Sequence, residues 1–208
     1  MKPIESIMRR SPVIAVITLD DPAPAEALAC ALVEGGITSL EVTLRTPAAL
    51  EVLTIMARVD GAQVGAGTIV TARQANQALE AGAGFLVSPG LTEPLVHEAA
   101  RLDVPYLPGI STASDIMRGL DLGIEHFKFF PAEASGGIPA LKALAAPFHQ
   151  ARFCPTGGIT PDSLTRWLGC PGVLCVGGSW LVPHAEAAPS AVRDLALAVR
   201  QVLGTRVG

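Results

Sequence analysis

The sequence is short of aromatic residues, of charge and above all of lysine. Aromatic side chains make up 4% of the 208 residues and charged ones 16%, and lysine occurs only at Lys2, Lys128 and Lys142. Half the chain is hydrophobic, so it can bury a core, which excludes a disordered polymer. A net charge of -4 and a pI near 5.5 supply no basic stripe for nucleic acid. No block of like charge marks a tail. Long apolar runs are missing too, although the mean hydropathy is +0.44. Gly, Pro and charges interrupt every run well before the ~18 residues of a membrane span. The opening "MKPIESIMRRSPVIAVITLDD" ends its apolar run in two aspartates, without a small-residue cleavage site. The expectation is a cytoplasmic protein that starts with a short arm and a first strand.

Metal-binding patterns are equally scarce. Cys30, Cys154, Cys170 and Cys175 form no C-x-x-C, and His97, His126, His149 and His184 show no ligand spacing. Reduced, mostly buried thiols and no protein-bound metal are expected.

What the chain does have is a repeated unit. The β-rich runs "PVIAVITL", "SLEVTLR", "AQVGAGTI", "GFLVSPG", "VPYLPGI", "HFKFFPA", "ARFCPTGGI" and "GVLCVGGSW" alternate with Ala-rich stretches of helical spacing. Several of those stretches begin with Thr or Pro, and Gly35, Gly82 and Gly123 are placed to close helices. Alternation of strand and helix means a parallel sheet. Eight units close naturally into a compact (β/α)8 TIM barrel, formed as one domain over residues 1–208. An open doubly wound sheet would want a G-x-G-x-x-G turn, and "VGAGT" at Val64–Thr68 does not supply one.

Function in such a barrel sits at the C-terminal ends of the strands. Side-chain alternation puts Glu41, Thr43 and Arg45 on one face, and Lys128 on a face with His126 and Phe130. Phe127 and Phe129 then face the helices. An inward lysine is costly while charged and unpaired, so it is either a structural ion-pair partner or a nucleophile. With an inward glutamate beside it, the amine can form a Schiff base with a ketone while the carboxylate moves protons. "TGGI" and "VGGSW" end the last two strands, where barrel phosphate sites commonly form from loop amides. A phosphorylated substrate is the inference.

Taken together, "EVTLRT", "GAGT", "SPGLTEP", "PGISTASD", "FKFFPAEASGG", "RFCPTGGI" and "GGSWLVP" resemble the 2-dehydro-3-deoxy-phosphogluconate (KDPG) aldolases of the Entner–Doudoroff pathway, in order and over nearly the whole chain. The resemblance implies a class I aldolase on a TIM barrel, a homotrimer without metal or other cofactor. Its substrate would be the phosphorylated 2-oxo sugar acid 2-dehydro-3-deoxy-6-phospho-D-gluconate, and its products pyruvate and D-glyceraldehyde 3-phosphate. Cleavage of 4-hydroxy-2-oxoglutarate is implied as a second activity. By the same resemblance, Lys128 is the Schiff-base residue and Glu41 the general acid/base. Arg45 and Thr68 bind the pyruvyl carboxylate, while Pro89 and Phe130 line the pocket. Gly157, Gly158 and Ser179 hold the phosphate. Thr156 stands where the family chooses between C4 epimers, and a galactonate-directed family tends to be apolar there. Other readings are that galactonate-directed enzyme, a metal-dependent aldolase, and a phosphosugar-binding barrel without catalysis, which would need neither Lys128 nor Glu41.

Overall fold

The computed structural model describes residues 3–183 and 187–204; Lys2 and His184 lie outside the described residues. A helix, α1 (Glu5–Arg10), precedes the first strand, β1 (Val13–Ile17). Strand and helix then alternate through α2 (Ala25–Glu34), β2 (Ser39–Thr43), α3 (Ala49–Met56), β3 (Gln63–Gly67), α4 (Ala72–Glu80), β4 (Leu86–Val87) and α5 (Glu93–Arg101). The second half contains β5 (Tyr106–Leu107), β6 (Gly109–Ile110), α6 (Ala113–Asp121), β7 (His126–Phe129), α7 (Gly137–Ala145), β8 (Arg152–Pro155), α8 (Pro161–Leu168), β9 (Val176–Gly178) and α9 (Pro189–Gly204).

Every pairing is parallel. One run of strands is ordered β5-β4-β3-β2-β1-β9 and a second β6-β7-β8. The two runs join twice. Pro108 separates β5 from β6 within one stave, and its carbonyl accepts from the Lys128 N–H at 2.8 Å. On the other side, bridges Phe153↔Val173 and Thr156↔Gly177 tie β8 to the chain of β9. Eight staves therefore close into the (β/α)8 TIM barrel that the repeated unit predicts.

Alternation along the strands separates two cores. Val13, Ala15, Ile17, Leu40, Val42, Phe127 and Phe129 pack outward beneath the helices. Ile14, Phe85, Val87, Leu107, Cys154 and Cys175 fill the barrel interior, together with Ile4, Ile7 and Met8 from the N-terminal segment. The short arm expected at the start is thus a helix that plugs the floor. Ser39 Oγ donates to the Ile7 carbonyl at 3.1 Å, and His126 Nε2 lies 3.5 Å from Glu5 Oε2. Burial pushes His126 below its ordinary pKa, against the pull of Glu5 and Glu125.

The threonines at helix starts act as expected at three positions. Thr71, Thr112 and Thr160 form capping boxes with Gln74, Asp115 and Ser163, satisfying N–H groups that have no partner within the helix. One glycine differs from expectation. Gly35 keeps helical geometry at the end of α2, and it is Gly36, at φ +87°, that turns the chain. Gly35 is small for another reason: a Cβ there would collide with Ala196 of α9.

Candidate active site

The strands bring Lys128 and Glu41 together across the barrel. Glu41 sits in the middle of β2 and Lys128 on β7, and both side chains point inward. Lys128 Nζ donates to Glu41 Oε1 at 2.9 Å and Oε2 at 3.3 Å, with the side chains 7% and 3% exposed. A buried amine and a buried carboxylate each carry a large desolvation cost, which their contact offsets. The structural pair and the nucleophile–base pair anticipated from the sequence are the same two residues. The ammonium also lies 5.4 Å from the centroid of the Phe130 ring, near enough for a cation–π attraction.

Glycine on β3 makes the arrangement possible. A Cβ on Gly67 would overlap the Glu41 carboxylate, and one on Gly65 would come within 2.5 Å of the Phe85 ring. Successive inward positions of one strand are thus empty, one to admit a carboxylate and one to admit a phenyl ring.

β2 ends at Thr43, so Arg45 is not a strand residue but lies in the turn beyond, exposed at the mouth. Its Nε donates to Thr68 Oγ1 at 3.2 Å. Thr68 itself holds φ +61°, a costly region for a β-branched residue. The two residues paired by motif therefore meet at one edge of the mouth and present a guanidinium and a hydroxyl.

The opposite edge carries Gly157 and Gly158, at φ +103° and +80°. The Ala132 N–H donates to the Thr156 carbonyl at 2.8 Å and the Glu133 N–H to that of Gly157 at 3.1 Å. This loop is thereby stapled to the turn that follows Lys128. Ser179 is exposed just beyond β9. Thr156 is buried and inward, and its Oγ1 has only long contacts, 3.4 Å to the Cys154 carbonyl and 3.9 Å to Cys154 Sγ. Pro89 is exposed after β4, with its carbonyl against the face of Gly109, where a Cβ would collide. Between strand and proline, Ser88 and Tyr106 share a 2.6 Å hydroxyl contact, and burial pushes the Tyr106 pKa to about 12.

Two features escaped the sequence reading. Trp167 Nε1 donates to Glu133 Oε1 at 3.0 Å, which ties α8 to the loop after β7; no local pattern signals it. Thr18 contacts Thr43 hydroxyl to hydroxyl at 2.7 Å, and continuing the alternation Ile14, Val16, Thr18 past the strand end would have found it. Among the described residues, no group of three or more His, Cys, Asp or Glu could hold a metal ion. No described helix is long and apolar enough to cross a membrane.

Known proteins share this sequence and fold over nearly their whole length. The chain is 54% identical over 198 residues to the 2-dehydro-3-deoxy-phosphogluconate aldolase of Zymomonas mobilis, covering 95% of this chain and 94% of that one. The crystal structure of the Zymomonas mobilis ZM4 2-keto-3-deoxy-6-phosphogluconate aldolase with 3-phosphoglycerate superposes with a TM-score of 0.92 at 52% identity, over 94% of each chain. The KDPG aldolase of Legionella pneumophila, with pyruvate captured as a covalent carbinolamine, superposes at 0.90 with 43% identity, over 95% of this chain and 98% of that one. The family model described as KDPG and KHG aldolase matches residues 4–194. A likeness that extends over so much of the sequence and of the barrel leaves one conclusion: the chain belongs to the KDPG and KHG aldolase family.

Proposed function

We propose that this protein is a class I aldolase that cleaves 2-dehydro-3-deoxy-6-phospho-D-gluconate to pyruvate and D-glyceraldehyde 3-phosphate, with Lys128 as the Schiff-base residue and Glu41 as the general acid/base. The observation that carries the reading is the 2.9 Å contact between Lys128 Nζ and Glu41 Oε1 inside the barrel. It gives the amine a carboxylate to which its proton can pass, beneath a mouth with a cation on one edge and a glycine loop on the other.

The steps follow from that geometry. Arg45 and Thr68 hold the substrate carboxylate, the guanidinium supplying a fork that matches it. Lys128 attacks the C2 ketone, and Glu41 gives a proton to the departing hydroxyl, so that water leaves and a protonated imine remains. Glu41, now a carboxylate, takes the C4 hydroxyl proton through a water. The C3–C4 bonding electrons move into the imine, forming an enamine and releasing the aldehyde. Protonation at C3 and hydrolysis then return pyruvate and the free amine. Phe130 and Pro89 wall the pocket, Thr156 lies beside the C4 hydroxyl, and the amides of Gly157 and Gly158 with the Ser179 hydroxyl receive the phosphate.

Cleavage of 4-hydroxy-2-oxoglutarate to pyruvate and glyoxylate is a second reading. The matching family model names KHG beside KDPG, and the pyruvyl half of both substrates would meet the same Lys128, Glu41 and Arg45. We further take residues 1–208 as one catalytic domain, assembled as a homotrimer in the cytoplasm. The trimer is tested by light scattering, where a monomer mass would remove it.

The test of the chemistry is trapping. The protein is incubated with pyruvate, reduced with borohydride, and mapped by peptide mass. An adduct on Lys128 is expected. No adduct, or one confined to Lys142 or Lys2, would overturn the assignment and leave Lys128 as a structural cation.

A further inference from the structure

We infer that the hydroxyl pair Thr18–Thr43 reads the C5 hydroxyl of the sugar acid, and so sets the stereochemical preference for the aldehyde half. The inference rests on the aldolase reading and extends it to a residue outside the motifs that identify the family.

The argument begins with the order of staves. β9, β1, β2 and β3 are consecutive neighbours in the wall. The carboxylate edge, Arg45 with Thr68, lies just beyond β2 and β3. The phosphate edge lies beyond β8 and β9. A substrate with its carboxylate at one edge and its phosphate at the other must lay its middle carbons between them. The part of the mouth bounded by β9 and β2 is the top of β1, and its inward position is Thr18. Ile14 faces the interior cluster while Val13, Ala15 and Ile17 face the helices, so Val16 and Thr18 continue the inward face. Val16 stands level with Glu41 in the β1–β2 register. Thr18 is one inward position above it, between the proton-moving carboxylate and the rim.

The chemistry of the position suits a hydroxyl. Thr43 is 1% exposed on the same face as Glu41, and its Oγ1 meets Thr18 Oγ1 at 2.7 Å. Such a pair uses one proton in its mutual bond and leaves the other proton, with free lone pairs, for a ligand. Thr18 is the exposed member, held in orientation by the buried one. An alcohol that both donates and accepts is the matching partner, and a phosphate or carboxylate would instead favour a cation. The C4 hydroxyl is already taken by Glu41 and Thr156, which leaves the C5 hydroxyl.

The experiment times condensation of pyruvate with D- and with L-glyceraldehyde 3-phosphate for the wild type, Thr18→Val and Thr18→Ser. Exchange of pyruvate methyl protons into deuterium oxide is followed in parallel, because it needs the Schiff base but no aldehyde. Thr18→Val is expected to lose roughly three- to tenfold in kcat/KM with the D-aldehyde, the effect of one neutral hydrogen bond. It should lose less with the L-aldehyde, so the D/L ratio narrows, while Thr18→Ser keeps the wild-type ratio. An unchanged ratio in Thr18→Val overturns the proposal, as does an equal loss across both aldehydes and the exchange, which would mark a structural role. A wild-type protein that exchanges no proton would sink the aldolase reading itself, a result distinct from either.

Discussion

The lower and upper halves of the barrel interior are built from the same strands by the same device, yet they hold opposite chemistries. Below, Phe85 fills the space that the bare Gly65 leaves, among Ile14, Val87, Leu107 and the side chains of α1. Above, the Glu41 carboxylate fills the space left by Gly67, and Lys128 completes it. The Cys175 thiol belongs to the lower half, where burial raises its pKa well above the usual range. The contrast teaches that a missing Cβ specifies only room. What occupies the room decides whether a layer stabilises the fold or performs chemistry.

Paired substitutions should separate the halves most sharply. Lys128→Ala is expected to lower cleavage by roughly 10⁴-fold or more, since Lys128 is the amine proposed to form the imine, while thermal unfolding still shows one cooperative transition. Phe85→Ala should do the reverse. Removing a buried phenyl typically costs about 3–5 kcal/mol, read by urea unfolding, with the turnover of the folded fraction within a few-fold of wild type. If Phe85→Ala abolished turnover in protein shown to be folded, the division into a structural and a chemical layer would be wrong.

Gly67→Ala sharpens the comparison at the boundary. The added methyl would displace the Glu41 carboxylate from its place beside Lys128. Overpacking of this kind costs about 1–3 kcal/mol. The effect on kcat should be larger, roughly ten- to a hundredfold, because proton transfer depends on position. Gly65→Ala meets a ring instead of a carboxylate and should destabilise without a comparable loss in kcat. Equal kinetic effects in the two variants would remove the distinction.

The sequence carried the layers better than the joints. Period-two alternation was enough to turn Glu41 and Lys128 inward and Phe127 and Phe129 outward, and the structure places all four so. The eight-unit count gave the barrel. That β2 and β7 face each other at a distance that lets Lys128 reach Glu41 depends on closure of the ring, a property of all eight staves together and of no local pattern. Helix α1, of six residues, is too short to show a helical period, so it read as an arm. Arg45 read as a strand residue because alternation has no marker for where pairing stops; the strand ends at Thr43. The roles proposed for Thr68, Pro89 and Ser179 rest on resemblance, since a lone hydroxyl or proline at a loop has no pattern of its own.

Thr156 gives the smallest and most specific test. It lies in the upper layer but does little for the fold: its hydroxyl contacts are 3.4 and 3.9 Å, too long to contribute much. Valine matches its shape and leaves no buried hydroxyl, so Thr156→Val should shift urea unfolding by less than about 1 kcal/mol. The hydroxyl is therefore free to serve the substrate, and its loss should appear most where the configuration at C4 turns the substrate's alcohol toward it. Cleavage of the gluconate and galactonate epimers, measured side by side, should show the gluconate preference narrowing by roughly three- to tenfold, the scale of one hydrogen bond. An unchanged epimer ratio would take Thr156 out of the specificity machinery and leave it as packing against Gly177, where a Cβ would collide with it.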